Sequence, residues 1–160
     1  MGTTDRRAVF RVPRGATGFR HINEPELPQV DPAVCDAAWD AAARAAGGEV
    51  GYHRKRWYPQ NFHCAALTDR AAAPHVALFH GHHPYVAFVP EPGLAYTDEF
   101  LDPPTWADAL TAHGFTVLGA ALLRTPVQEC DTGALAETEW HQIDYWQPPT
   151  LGALLFNWWD

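Results

Sequence analysis

Basic charge is what this chain has least of: its 160 residues carry 19 acidic side chains against 11 basic ones, a formal net charge of −8, and Lys55 is the single lysine. The shortage is uneven. Residues 71–160 hold one basic group, Arg124, against eleven acidic ones, whereas residues 1–70 hold ten basic and eight acidic groups. No broad basic face is available for phosphate backbones, which argues against a nucleic-acid binder, and the same deficit disfavours anionic membranes. Long apolar runs are missing too. Nothing approaches the roughly 20 residues of a membrane span, and Arg6, Arg7, Arg11 and Arg14 interrupt the stretch where a leader's apolar run would lie. Cysteine is limited to Cys35, Cys64 and Cys130, an odd number with no CxxC pair. A disulfide framework is therefore not expected, and a reducing, cytoplasmic setting is.

Several motifs are absent as well. The chain has no glycine-rich nucleotide loop, HExxH, GxSxG elbow, facial-triad His-x-Asp/Glu, paired zinc cysteines or deaminase signature. No organic cofactor has a fingerprint here.

What remains is a folding composition, with 47% hydrophobic and 19% charged residues. One α+β domain over 1–160 is expected, an antiparallel sheet of about five to seven strands covered by two to three helices. The clearest helix runs over 31–46. Asp31-Pro32 supplies an N-cap and a preset first turn, Val34, Cys35, Ala38, Trp39, Ala42 and Ala46 recur at helical spacing, and Gly47-Gly48 ends it. Residues 50–58, 62–68, 75–80 and 85–89 read as a meander with short turns, apolar on both faces and so covered on both. Further strands are expected at 6–12, 115–124 and 140–146. Residues 105–113 and 149–158 read as helices, the latter from Leu151, Leu154, Leu155 and Trp158.

Five of the nine histidines lie between residues 63 and 83. Pairing 62–68 with 75–80 about a loop near residue 71 sets His63 opposite His80, and His80 opposite Tyr85. One end of one sheet face then carries His63, His80 and Tyr85, with His82 and His83 in the adjoining turn. Imidazoles can act as acid and base with Tyr85 as a donor, and His63, His80 and His82 can alternatively hold a divalent transition metal. The same residues also fit ordinary turn and sheet-edge positions. A one-residue slip would split the set between faces.

Beside them His53-Arg54-Lys55-Arg56-Trp57-Tyr58 is the one basic run beyond residue 14. As a strand it places Arg54 and Arg56 on one face, able to grip a carboxylate or phosphate, with Trp57 nearby. It equally suits a charged edge strand that blocks aggregation. The last 21 residues concentrate aromatics: Trp140, Tyr145, Trp146, Phe156, Trp158 and Trp159. Cys64 and His75 can share a face, although both read as buried, where thiols are inert.

Two functions follow as expectations. One is a small enzyme or ligand-binding protein for an anionic small molecule. It uses His63, His80 and Tyr85 for acid–base chemistry and Arg54, Arg56, Trp57, His82 and His83 for binding. The other is an acidic, Trp-rich interaction protein that neutralises a basic protein partner, in the manner of an immunity protein.

Overall fold

The computed structural model describes residues 9–90 and 99–160. A five-stranded sheet forms its centre, in the order β1 (Glu49–Arg54), β2 (Phe62–Thr68), β3 (Pro74–His80), β4 (Tyr85–Val89) and β5 (Thr116–Leu118). The first four form the expected antiparallel meander, and β5 adds parallel to β4. The helices are α1 (Pro32–Ala46), α2 (Asp108–Ala112), α3 (Ala120–Leu123), α4 (Glu137–Trp146) and α5 (Leu151–Leu155). The α+β reading holds. No helix among the described residues is long and apolar enough to cross a membrane.

Both sheet faces are covered, as their apolar side chains require. Ala65, Leu67, Phe79 and Phe88 pack against α1, whose Trp39 is fully buried and donates its indole N–H to the Ala66 carbonyl at 3.0 Å. On the other face Phe62, Cys64, Leu78 and Val89 meet α5, Ile143 of α4 and Leu123 of α3. Asp31 caps α1 by accepting from the Ala33 N–H at 2.9 Å, and left-handed Gly47 closes it. Gly48 has a different reason to be glycine, because a Cβ there would stand 1.7 Å from the Thr68 carbonyl oxygen.

Four expectations are corrected. The β2–β3 register pairs Phe62 with His80 and His63 with Phe79, one residue from the expected pairing. His63 and His80 therefore lie on opposite faces, and so do Cys64 and His75. The strand expected over 50–58 ends at Arg54, so Lys55–Tyr58 leave the sheet. Residues 115–124 form only three residues of strand before α3. Residues 140–146 belong to helix α4, not a strand. The alternation of Ile143 and Tyr145 misled there: Ile143 is buried, Tyr145 is 76% exposed, and the second buried contact is Glu139, four residues back. Part of the strand expected at 6–12 lies outside the described residues; Arg11 makes an isolated bridge to Asp131.

The contrast between Gly48 and Gly51 gives a stability test. Gly48→Ala should cost about 1–3 kcal/mol, since backbone must move to admit the methyl group. Gly51→Ala, whose Cβ would meet its nearest atom at 3.6 Å, should stay within about 0.5 kcal/mol of the parent. Urea unfolding midpoints of the two variants check this.

Candidate functional site

At the end of the sheet where β2 begins and β3 finishes, a cleft of about 810 Å³ opens between residues 17–20, 29–32 and 55–61, with His63, His82 and Trp159 completing its wall. Its charge differs from that of the chain. Arg20, Lys55 and Arg56 line it against one carboxylate, Asp31. None of the three cations is ion-paired among the described residues, whose ion pairs all involve histidine. Arg20 donates to the Glu24 carbonyl at 2.7 Å, and Arg56 to Oε1 of Gln29 at 3.0 Å, contacts that orient the guanidinium groups without neutralising them. Asp31 is already engaged as the α1 cap.

One wall is irregular backbone that a polar network holds in place. Ala16 and Thr17 are fully buried although they belong to no regular element. The Glu139 carboxylate, itself fully buried, accepts from the Gly15 N–H at 2.9 Å, the Thr17 N–H at 3.1 Å and the Thr17 hydroxyl at 2.7 Å. Asn61 donates to the Ala16 carbonyl at 3.2 Å, and Asn157 to the Thr17 carbonyl at 3.1 Å. The two asparagines are joined to each other by the Asn157 N–H on Oδ1 of Asn61 at 2.9 Å.

The histidines divide by what their nitrogens do. His80 Nε2 donates to the Ala16 carbonyl at 2.7 Å, and its Nδ1 accepts from the amides of His82 and His83 at 3.0 and 3.1 Å. Both nitrogens are occupied, and the fully buried ring has its pKa pushed down to about 3, chiefly by desolvation. His83 Nε2 donates to the Arg14 carbonyl at 2.7 Å, and the ring does not line the cleft. These two fasten the 14–16 backbone to the β3–β4 turn.

His63 and His82 are different, and their tautomers are opposite. His63 Nδ1 accepts from the Arg56 amide at 2.8 Å, so the neutral ring carries its proton on Nε2. That nitrogen is buried and has no partner at full hydrogen-bonding geometry, although the Val30 carbonyl acts on the ring. His82 Nδ1 faces the Pro28 carbonyl at 2.9 Å and must donate to it, which leaves Nε2 with a lone pair. The Gln29 amide nitrogen lies 3.3 Å from the same Nδ1, whose one proton already points to Pro28. Burial lowers the pKa of both rings, and the Arg56 charge lowers them further; the Val30 carbonyl partly opposes this at His63, as the Pro28 carbonyl does at His82. The two imidazoles of the cleft wall thus carry opposite Nε2 atoms, a buried N–H on His63 and a lone pair on His82.

Of the residues expected at the site, the cleft gathers His63, His82, Arg56 and Trp57. Arg54 stays on edge strand β1 with its guanidinium 4.6 Å over the Tyr52 ring. Tyr85 stays beside His80, ring centroids 6.2 Å apart, beneath Phe10 and away from the cleft. His63, His80 and Tyr85 do not converge. The histidine trio considered for a metal offers only the Nε2 atoms of His63 and His82, since every other ring nitrogen in it already has a backbone partner. No group of three or more metal-ligating side chains occurs among the described residues. Burial raises all three thiols, Cys35 to about 12, so none is primed as a nucleophile. Arg20 and Gln29 were not foreseen, because lone residues on loops carry no periodic signal, whereas Trp159 stands out as one of the tail aromatics and lies in the cleft wall.

Three buried imidazoles with lowered pKa values make stability depend on acid. The unfolded chain takes up protons near the ordinary value of 6.5 while the fold resists them, so stability is complete above that pH and falls below it. Between pH 6.5 and 5, before carboxylates titrate, the slope from His80 should rise toward about 1.4 kcal/mol per pH unit, and His63 and His82 act in the same direction. Urea unfolding should show net proton uptake that grows toward at least about one proton as the pH falls to 5, and His82→Gln should reduce it.

Comparison with known proteins adds no relative to this geometry: no family model matches, and neither the curated proteins nor the solved structures contain a significant match.

Proposed function

We propose that this chain binds an anionic small molecule in the cleft and acts on it with His63 and His82 as a donor–acceptor pair. The observation that carries the reading is the set of unpaired cations, Arg20, Lys55 and Arg56, gathered on one concave surface of a chain whose net charge is −8. An anion there meets cations with no competing carboxylate partner, at a volume within the usual range for small-molecule sites. The histidines extend the reading from binding to chemistry. His63, kept neutral by burial, offers an N–H to an oxygen on which negative charge develops, and the bare Nε2 of His82 can take a proton. His80 and Tyr85 serve this site only indirectly, through the loop that His80 secures.

The test is calorimetric titration with inorganic phosphate and with benzoate. Binding should weaken as salt rises, and Arg56→Gln with Lys55→Gln should weaken it at least about tenfold, a loss of about 1.4 kcal/mol. Binding that is indifferent to both substitutions would remove the basis of the reading.

Helix α4 favours a second reading. Trp140, Tyr145 and Trp146 stand at least one-third exposed beside Glu137 and Asp144, an acidic aromatic surface suited to a basic protein. An arginine-rich probe peptide should then bind, lose affinity with Tyr145→Ala and Trp140→Ala, and be unaffected by Arg56→Gln.

A further inference from the structure

The cleft joins its cations to aromatic rings supplied by three separate parts of the chain: Phe19, the Trp57–Tyr58 pair and Trp159. Three of these four rings have partners. Trp159 packs on Phe19 at 6.3 Å and lies parallel to Trp146 at 6.2 Å and 5°, so its indole is backed by a second one. Tyr58 is tied through its hydroxyl to Asp160. Trp57 is the exception. It follows Arg56 directly, is 77% exposed, and has neither a ring partner nor an indole hydrogen bond among the described residues. A large apolar side chain left in water at the mouth of a cationic cleft gains most from a ligand that covers it.

We infer that the anionic ligand of this cleft carries a flat ring, as in an aryl phosphate, an aromatic carboxylate or a mononucleotide. The inference rests on the anion-binding reading above and adds the ring to it. Simple anions such as phosphate or acetate would leave Trp57 exposed and much of the 810 Å³ empty. A ring attached to the anion stacks on an aromatic face, an interaction favourable for any π-system, while its charged group reaches Lys55 and Arg56.

The experiment compares three probes by calorimetry on the full chain: phenyl phosphate, methyl phosphate with the same charge and no ring, and benzyl alcohol with the ring and no charge. Phenyl phosphate should bind at least about tenfold more tightly than methyl phosphate. Trp57→Ala should abolish that advantage while leaving methyl phosphate unchanged, and Arg56→Gln should weaken both phosphates alike. Trp57 is exposed, so its replacement leaves the fold intact, and unfolding midpoints verify this. Equal affinity for the two phosphates would overturn the ring inference and leave the anion reading standing. Benzyl alcohol binding as tightly as phenyl phosphate, or no binding of either phosphate, would overturn the anion reading itself.

Discussion

The structure depends on the burial of Ala16 and Thr17, a piece of irregular backbone in the interior. Irregular backbone cannot satisfy its own amides and carbonyls, and each polar group left unpaired there costs about 1–3 kcal/mol. The partners come from far along the chain: His80 and Asn61 from the sheet end, Glu139 from α4, and Asn157 from the residues after α5. The knot therefore fastens the N-terminal segment, the sheet and the C-terminal segments together at one point. Glu139 is tolerated at zero exposure because its oxygens accept from Gly15, Thr17 and, at 3.3 Å, the Ala136 amide. The carboxylate is held by hydrogen-bond donors, and no ion pair to it occurs among the described residues.

The cleft is a consequence of this knot. Thr17–Arg20 emerge directly from it, and the turn after β3, held by His80, positions His82. The Pro28 carbonyl in turn fixes which nitrogen of His82 bears the proton, and the Arg56 amide does the same for His63. Backbone groups thus set both tautomers. A side chain that rotates can lose its orientation more easily than a peptide unit anchored on both sides, so the donor and acceptor roles are built into the fold.

Legibility in the sequence followed the reach of the interaction involved. Helix α1 was readable because its cap, its stripe and its glycine stop are all local. The meander was readable from its turns. The register was not, because the 69–73 turn sets it: the Asp69 carboxylate accepts from the amides of Ala71 and Ala73 at 2.8 and 3.0 Å, which fixes the loop centre half a residue from the symmetric guess. That small shift separated His63 from His80. Helix α4 was misread because Glu139, its most buried polar contact, looks from sequence like a surface residue. The basic run 53–58 was recognised as a candidate site, but its exit from the sheet after Arg54 reassigned it: Arg54 lies over Tyr52 at the edge, and Arg56 turns toward the cleft.

The charge of the cleft and the state of His82 are coupled in the proposed site. Burial, and after it the Arg56 charge, lowers the proton affinity of both His63 and His82. An anion placed against Arg56 screens that effect and adds its own attraction for a proton, so it must raise the proton affinity of His82. By linkage, protonation of His82 strengthens the hold on the anion by the same factor. Under the proposed reading, the bare Nε2 would become a better proton acceptor when ligand is present, and a proton taken from the ligand would stay beside the negative charge it leaves behind. At His63 the same anion meets a donor whose protonation is fixed by a backbone amide. In the proposed site the two tasks would therefore fall to different rings, a donor on His63 and an acceptor on His82.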